Sequence, residues 1–503
     1  MTAPQSKHGI QPNVLFIMAD QWGASLLGAA GHPAIQTPTL DALAANGRRF
    51  TRAYSESPIC IPARRTVMTG TPPRTHGDRV FLPAARMPPL PTLAQCFRQA
   101  GYQAYGVGKL HVYPPRDRIG FDDVVLAEEG RPQLGSVDDY DLFLADRGYA
   151  GQQFAHGMNN NEYVHRPWHL PEDCHVTTWT TREMARIIKR RDPTRPAFWH
   201  LSYCHPHPPL VPLNAYLDLY RDMDINPPIG APWSAVPDEM PYALRLTHDF
   251  WRAWRPAEHL SIRRAFYALC THIDHQLRLI IGTLREEDLL DDTIIVFTTD
   301  HGDMLGDFGL WAKRLFLEGA ANVPMIISGL PGDERVGEGV VDNRLVGLQD
   351  VMPTLLELAG IDIPPSVEGL SMVGDARREL LYGECREDAS ATRMLHDGRH
   401  KLIWYPAGNR LSLFDLDDDP HEQVDRAGDR AYRPMRAALE ESLVQHLYGT
   451  DESWIDAGRL VGMPAPVFRS ASNRGLSGQR GLHYPQPPVT DPSVPVGMPV
   501  RPK

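Results

Sequence analysis

The chain has 503 residues, of which 42% are hydrophobic and 22% charged, the balance of a soluble globular protein with room for one large unit and a smaller one. Its net charge of -11 and the lack of any Lys/Arg block argue against nucleic-acid binding, but a few placed cations could still hold an anionic small molecule. Residues 1–13 are polar and the apolar runs are only strand-length, so neither a secretory leader nor a membrane span is expected. Six scattered cysteines without a CxxC pair suit a reduced, cytoplasmic protein.

Five short runs rich in Val, Ile and Phe predict strands at residues 14–19, 102–107, 197–203, 293–299 and 323–328. Continuous apolar runs of this length suit strands buried on both faces. Helical patterns fall between them, at residues 37–47, 90–101, 177–190 and 261–284. Alternating strands and helices predict an α/β fold, a large sheet sandwiched between helices, with ligands gathered beyond the carboxyl ends of the strands. Four of the five runs end in metal- or anion-binding residue types: Asp20-Gln21, Lys109-Leu110-His111, His205-Pro206-His207 and Asp300-His301. Residues 126–171 form an irregular insertion, read either as a pocket wall or as a surface loop.

The texture changes after residue 375. Short strand patterns at 379–384, 392–397, 400–405 and 412–416, with a helix at 433–448, predict a smaller α+β domain with a short antiparallel sheet. The expected division is a catalytic domain at 1–375, a C-terminal subdomain at 376–470 and a tail at 471–503. That tail is rich in Pro and Gly, is expected to be extended, and offers a route to a homo-oligomer by wrapping a neighbouring subunit.

Cys60 stands in Cys60-Ile61-Pro62-Ala63-Arg64, where a loop is expected to enter a helix near Pro62. A group there faces exposed N–H donors and the positive end of the helix dipole, which favours an anion. A low-pKa thiol nucleophile of the protease kind is one reading. No Gly-rich oxyanion signature accompanies it, and the metal-type residues elsewhere point away from acyl transfer.

Cys-x-Pro-x-Arg followed by Thr69-Gly70 closely resembles the signature of the type I sulfatases, members of the alkaline-phosphatase-like superfamily. The partners come in the expected order. Residues 13–21 resemble the family's first strand, Gly108-Lys109-Leu110-His111 its Gly-Lys-x-His, and Pro206-His207-Pro208-Pro209 its Pro-His-x-Pro. Thr299-Asp300-His301-Gly302 with Lys313 resembles the second metal strand, and residues 350–356 and 413–420 extend the likeness to about residue 425. The resemblance implies that Cys60 is converted to formylglycine by a maturation enzyme and works as a hydrated aldehyde on a divalent cation. Attack on sulfur and later expulsion of sulfate would split one hard displacement into two easier steps.

Carried over by position, Asp20, Asp300, His301 and the side chain of residue 60 are metal ligands, and Gln21 is a weaker one because its carbonyl brings no charge. Arg64 would orient the nucleophile, Lys109 and Lys313 would bind sulfate oxygens, His111 would deprotonate the intermediate, and His207 would protonate the leaving oxygen. His205 competes with His207 for that last role. Asp303 and Asp307 are expected to fix the loop, and His32, His76, His272 and His275 to be structural or superficial. The family's Asp and Asn are replaced here by Gln21 and His301; Ca²⁺ is the expected ion by resemblance, with Mn²⁺ next because imidazole shifts the preference. The implied substrate is a small sulfate monoester. Two alternatives stay open: a phosphonate monoester or phosphodiester hydrolase of the same superfamily, which shares the Asp-Gln and Asp-His pairs, and an unmodified relative that only binds an anion or a partner. Trp233, Trp251 and Trp254 are candidate walls for the alcohol part of the substrate, or core residues.

Overall fold

The computed structural model describes residues 11–130, 137–251 and 256–470. Eight strands form the main sheet: β1 (Asn13–Asp20), β2 (Arg48–Tyr54), β3 (Gln103–Gly108), β4 (Asp123–Leu126), β5 (Ala197–Pro206), β6 (Thr293–Thr299), β7 (Met325–Ser328) and β8 (Val340–Gly347). Their order is β4-β3-β5-β1-β6-β7-β2-β8. The pairings are parallel except those of β7, which runs against both β6 and β2.

Strand β1 lies at the centre and is buried along its whole length. Its period of two sends alternate side chains to opposite faces. Leu15 and Ile17 join a core with the long helix Pro256–Glu286, while Val14, Phe16 and Met18 join another with the helices Cys60–Thr69, Leu93–Gln99 and Val351–Leu358. Each face therefore carries its own apolar layer, and the carboxyl ends of β1, β3, β5 and β6 meet at one rim. The helix Pro256–Glu286 outruns the expected 261–284, and the helix expected near Pro62 begins two residues earlier, at Cys60. Ile59 is still extended (φ -154°, ψ 136°), so the thiol occupies the first helical position.

Four further strands, β9 (Leu381–Cys385), β10 (Thr392–His396), β11 (His400–Tyr405) and β12 (Arg410–Asp415), form an antiparallel sheet in the order β12-β11-β10-β9. The helix Arg433–His446 covers one face through Leu439 and Leu443. The other face, with Met394, Ile403 and Phe414, shares a core with Tyr54, Ile59, Phe316 and Leu317 of the larger part. The smaller sheet thus backs the loop that presents Cys60. The tail expected at 471–503 lies outside the described residues, as does Trp254. No helix among the described residues is long and apolar enough to cross a membrane. All six cysteines are free and buried.

A buried ion-pair network pins the smaller sheet. Arg393 and Asp451 are both 0% exposed and meet in two bonds of 2.7 Å, and Arg79 adds a third contact to Asp451 at 2.9 Å. Asp451→Ala leaves two guanidinium groups without that carboxylate, and breaking such a pair costs about 3–5 kcal/mol. Urea unfolding should show a clear drop in midpoint; an unchanged midpoint would refute this account of the network.

Candidate active site

Gly108 has φ 101°, and a Cβ there would stand 1.8 Å from the Ser202 carbonyl oxygen. Only glycine permits that approach. It brings the Lys109 N–H onto the Ser202 oxygen (3.0 Å) and turns the Lys109 side chain beneath the end of β1. There Lys109 Nζ lies 2.6 Å from Asp20 Oδ2 and 2.9 Å from Glu129 Oε1.

Asp20, Cys60, Asp300 and His301 form one buried cluster in which a ligand atom from each lies within 4.8 Å of the others. Cys60 Sγ is 3.3 Å from His301 Nε2 and 3.9 Å from Asp20 Oδ1. His301 Nδ1 is 3.1 Å from the Gly302 carbonyl oxygen, a contact that assigns its N–H there and turns Nε2 into the cluster as a donor atom for a metal. Arg64 reaches across from the Cys60 helix. Its Nε donates to Asp300 Oδ2 and one terminal nitrogen to Asp20 Oδ2, both at 3.1 Å. The other donates to the Lys109 carbonyl and to Ser202 Oγ, both at 2.9 Å.

The electrostatics follow from burial among mixed charges. Burial pushes the Asp20 carboxyl up, but Lys109, His207, Arg64 and Lys313 together hold it well below the usual carboxylate range. Asp300 goes the other way, to about 6, because burial and the Asp20 charge outweigh His301 and Arg64. Burial and Asp20 push the Cys60 thiol up, yet Lys313, Lys109 and His207 bring it down to about 7. Burial lowers His301, which keeps its imidazole neutral and able to ligate. Two buried carboxylates, a neutral imidazole and residue 60 make a donor set that fits a divalent cation, which would relieve the repulsion between Asp20 and Asp300.

A second group stands beside this cluster. Lys313 Nζ donates to Gln21 Oε1 (2.7 Å) and contacts His207 Nε2 (2.5 Å). His207 Nδ1 is tied to the Pro208 carbonyl at 2.7 Å. Gln21, in the left-handed region at φ 69°, donates its backbone N–H to Asp300 Oδ1 and its amide N–H groups to Tyr163 and Asp303. Its carboxamide oxygen thus faces Lys313. His111, at φ 61°, is buried with its ring edge-on to Phe81 (5.5 Å) and its backbone N–H on Glu128.

His205 turns away, its Nδ1 on the His207 carbonyl and its ring against His175. Asp303 binds the N–H groups of Leu305 and Ala312, and Asp307 those of Ile229 and Arg263, so both fix loops. His76 and His272 contact Thr66 and Thr178 inside the packing. Trp233 packs against Phe308 with the rings tilted by 40° and donates to the Glu422 carbonyl, which makes it part of the packing against the C-terminal subdomain.

Glu129, Ser202 and Tyr163 were not foreseen. Glu128-Glu129 follows β4, a four-residue strand, and had β4 been recognised the acidic pair at its carboxyl end would have marked the site. Tyr163 comes from the irregular insertion, where no periodicity points to it. The insertion therefore does reach the site, through Glu129 and Tyr163.

A central, mostly parallel sheet whose strand ends converge on a buried carboxylate, imidazole and thiol cluster ringed by Lys and Arg defines a metal-assisted hydrolase of anionic esters. The sequence model of the family described as Sulfatase matches residues 12–361, and that described as N-sulphoglucosamine sulphohydrolase, C-terminal, matches residues 306–448. An arylsulfatase of Clostridium perfringens is 32% identical over 480 residues, covering 92% of this chain and 99% of that relative. A choline-sulfatase of Rhizobium meliloti is 33% identical, covering 85% and 86%. The crystal structure of a phosphonate monoester hydrolase of Agrobacterium radiobacter superposes with a TM-score of 0.74 at 25% identity, over 90% of this chain and 100% of that one. The chain belongs to the sulfatase family and is an enzyme of that class.

Proposed function

We propose that the protein hydrolyses a sulfate monoester of a small alcohol or phenol, using residue 60 after conversion of Cys60 to formylglycine by a maturation enzyme. The observation that carries this reading is the pairing of a buried thiol at a helix N-terminus with Lys109, Lys313 and His207, cations and a proton carrier suited to a sulfuryl group. A divalent cation, Ca²⁺ or else Mn²⁺, held by Asp20, Asp300, His301 and the side chain of residue 60 with Gln21 beside them, supplies Lewis-acid charge at the reacting oxygens. The hydrated aldehyde supplies a nucleophile that can later release sulfate by breaking its own C–O bond.

The chain's own residues do the rest. Arg64 holds Asp20 and Asp300 in place through its two 3.1 Å bonds and fixes the charge around residue 60. Lys109 and Lys313 bind the sulfuryl oxygens as negative charge builds on them. His207, with Nε2 against Lys313, delivers a proton to the leaving oxygen, and His111 takes the proton that ends the cycle. Asp300 helps to accept the nucleophile's proton.

A phosphonate monoester or phosphodiester substrate is the second reading, favoured by the TM-score of 0.74 to the phosphonate monoester hydrolase and by the Asp-Gln and Asp-His pairs. Turnover of matched aryl sulfate and aryl phosphonate esters by converted protein separates the two. A higher kcat/KM for the sulfate is expected. A large preference for the phosphonate would overturn the choice.

A further inference from the structure

Arg314 directly follows Lys313, yet nothing in the site described above uses it. Its backbone N–H donates to the Pro58 carbonyl at 2.8 Å, which seats it over the loop that carries Cys60. Its φ is 77°, and Ala312 two residues earlier has φ 64°. Non-glycine residues held in this region are uncommon and gather at ligand clamps. The guanidinium Nε is buried and has no hydrogen-bond partner among the described residues.

A second arginine comes from the end of β9, whose Cys385 shares a buried core with Leu315 and Phe316, the residues after Arg314. Arg386 follows β9, also has a positive φ (66°), and is held by its N–H on the Arg79 carbonyl and by Ser390 Oγ. The acids around the pair have other partners. Glu384 and Glu387 each lie 2.9 Å from Arg79, and Asp388 accepts from the N–H and hydroxyl of Ser390. Burial first, then the field of Arg386, brings Arg314 down to about 10, while Cys385, Cys60 and Asp388 pull it back up. Two arginines in the same buried region, one with a buried unsatisfied N–H, are costly unless an anion joins them. Guanidinium groups suit such an anion because they bind a planar or tetrahedral oxyanion through paired N–H donors.

We propose that Arg314 and Arg386 form a second oxyanion subsite beside residue 60, so that the alcohol part of the ester carries a further negative group, a carboxylate or a second sulfate. This rests on the reading of the reaction as sulfate ester hydrolysis. It narrows the substrate class to doubly charged esters, for which Lys109 and Lys313 would hold the reacting group and the two arginines the remote one.

The test uses converted enzyme and three probes: 4-nitrophenyl sulfate, 4-carboxyphenyl sulfate and 1,4-phenylene disulfate. The quantity read is the ratio of kcat/KM for each doubly charged probe to that for 4-nitrophenyl sulfate, in wild type, R314Q, R386Q and R314K. Comparing variants with wild type cancels the difference in leaving groups. Each Arg→Gln change should lower the ratio about tenfold or more, as loss of a charged hydrogen bond does, and R314K should restore part of it. The probe whose ratio falls further identifies the carboxylate or the sulfate as the preferred group. Unchanged ratios in both Gln variants would overturn the subsite. If wild type turns over no sulfate ester, the reaction assignment falls instead, and the subsite is judged by equilibrium binding of the two doubly charged probes, where equal affinity for wild type and R314Q overturns it.

Discussion

Cys60→Ala is expected to abolish turnover, by about 10⁴-fold or more as for loss of a covalent nucleophile, while leaving the fold in place. Both halves of that expectation follow from the position of the residue. Cys60 opens a helix whose ten residues are all buried, so its side chain adds little to packing beyond one sulfur atom. Removing that atom costs on the order of 1 kcal/mol at a buried site, a small part of the stability of a chain this size. Arg64 and Lys109 cannot replace the nucleophile, because they are bound to the carboxylates and remain protonated. The informative companion is Cys60→Ser. A serine can attack sulfur but has no second hydroxyl with which to expel sulfate, so it should accumulate a sulfated enzyme visible by mass spectrometry of the intact protein. Full activity in Cys60→Ala would remove residue 60 from the mechanism. An intact thiol at Cys60 in fully active protein from its native host would remove the conversion to formylglycine.

The parts of this site that were legible in the sequence share a physical cause. Strands β1, β3, β5 and β6 are buried along all or nearly all of their length, so their apolar runs stand out and their polar ends mark the rim. Strands β2 and β8 are only partly covered along their length, and they carry charges such as Arg48 and Asp342, which pair at 2.6 Å. Neither reads as a buried strand. The reversal of β7 is invisible for another reason, since hydrophobic pattern does not encode strand direction. Glu129 stayed hidden because its strand is too short to be seen, and the nearness of Arg314 and Arg386 because it joins two distant segments brought together only by the fold. Resemblance supplied the order of the motifs; it was silent on these added residues, which lie outside the motifs.

Removal of the divalent ion is the second change with a large expected effect. Protein treated with a chelator should retain less than about one-hundredth of its turnover, consistent with the several kcal/mol that a Lewis acid contributes to a developing negative charge, and should recover it when Ca²⁺ or Mn²⁺ is added. The reason lies in the balance of charges around β1 and β6. Asp20 and Asp300 are buried carboxylates close together, and a cation held by both would add to the compensation that Lys109 and Arg64 give Asp20 at 2.6 and 3.1 Å. Asp20→Asn should resemble the chelated enzyme but fail to recover with added ion. Comparing recovery across Ca²⁺, Mn²⁺ and Mg²⁺ also separates the expected ions: an oxygen-rich site would favour Ca²⁺, whereas a decisive role for the His301 imidazole would favour Mn²⁺. Retention of full activity after exhaustive chelation, with the ion shown absent by elemental analysis, would defeat the metal-assisted reading.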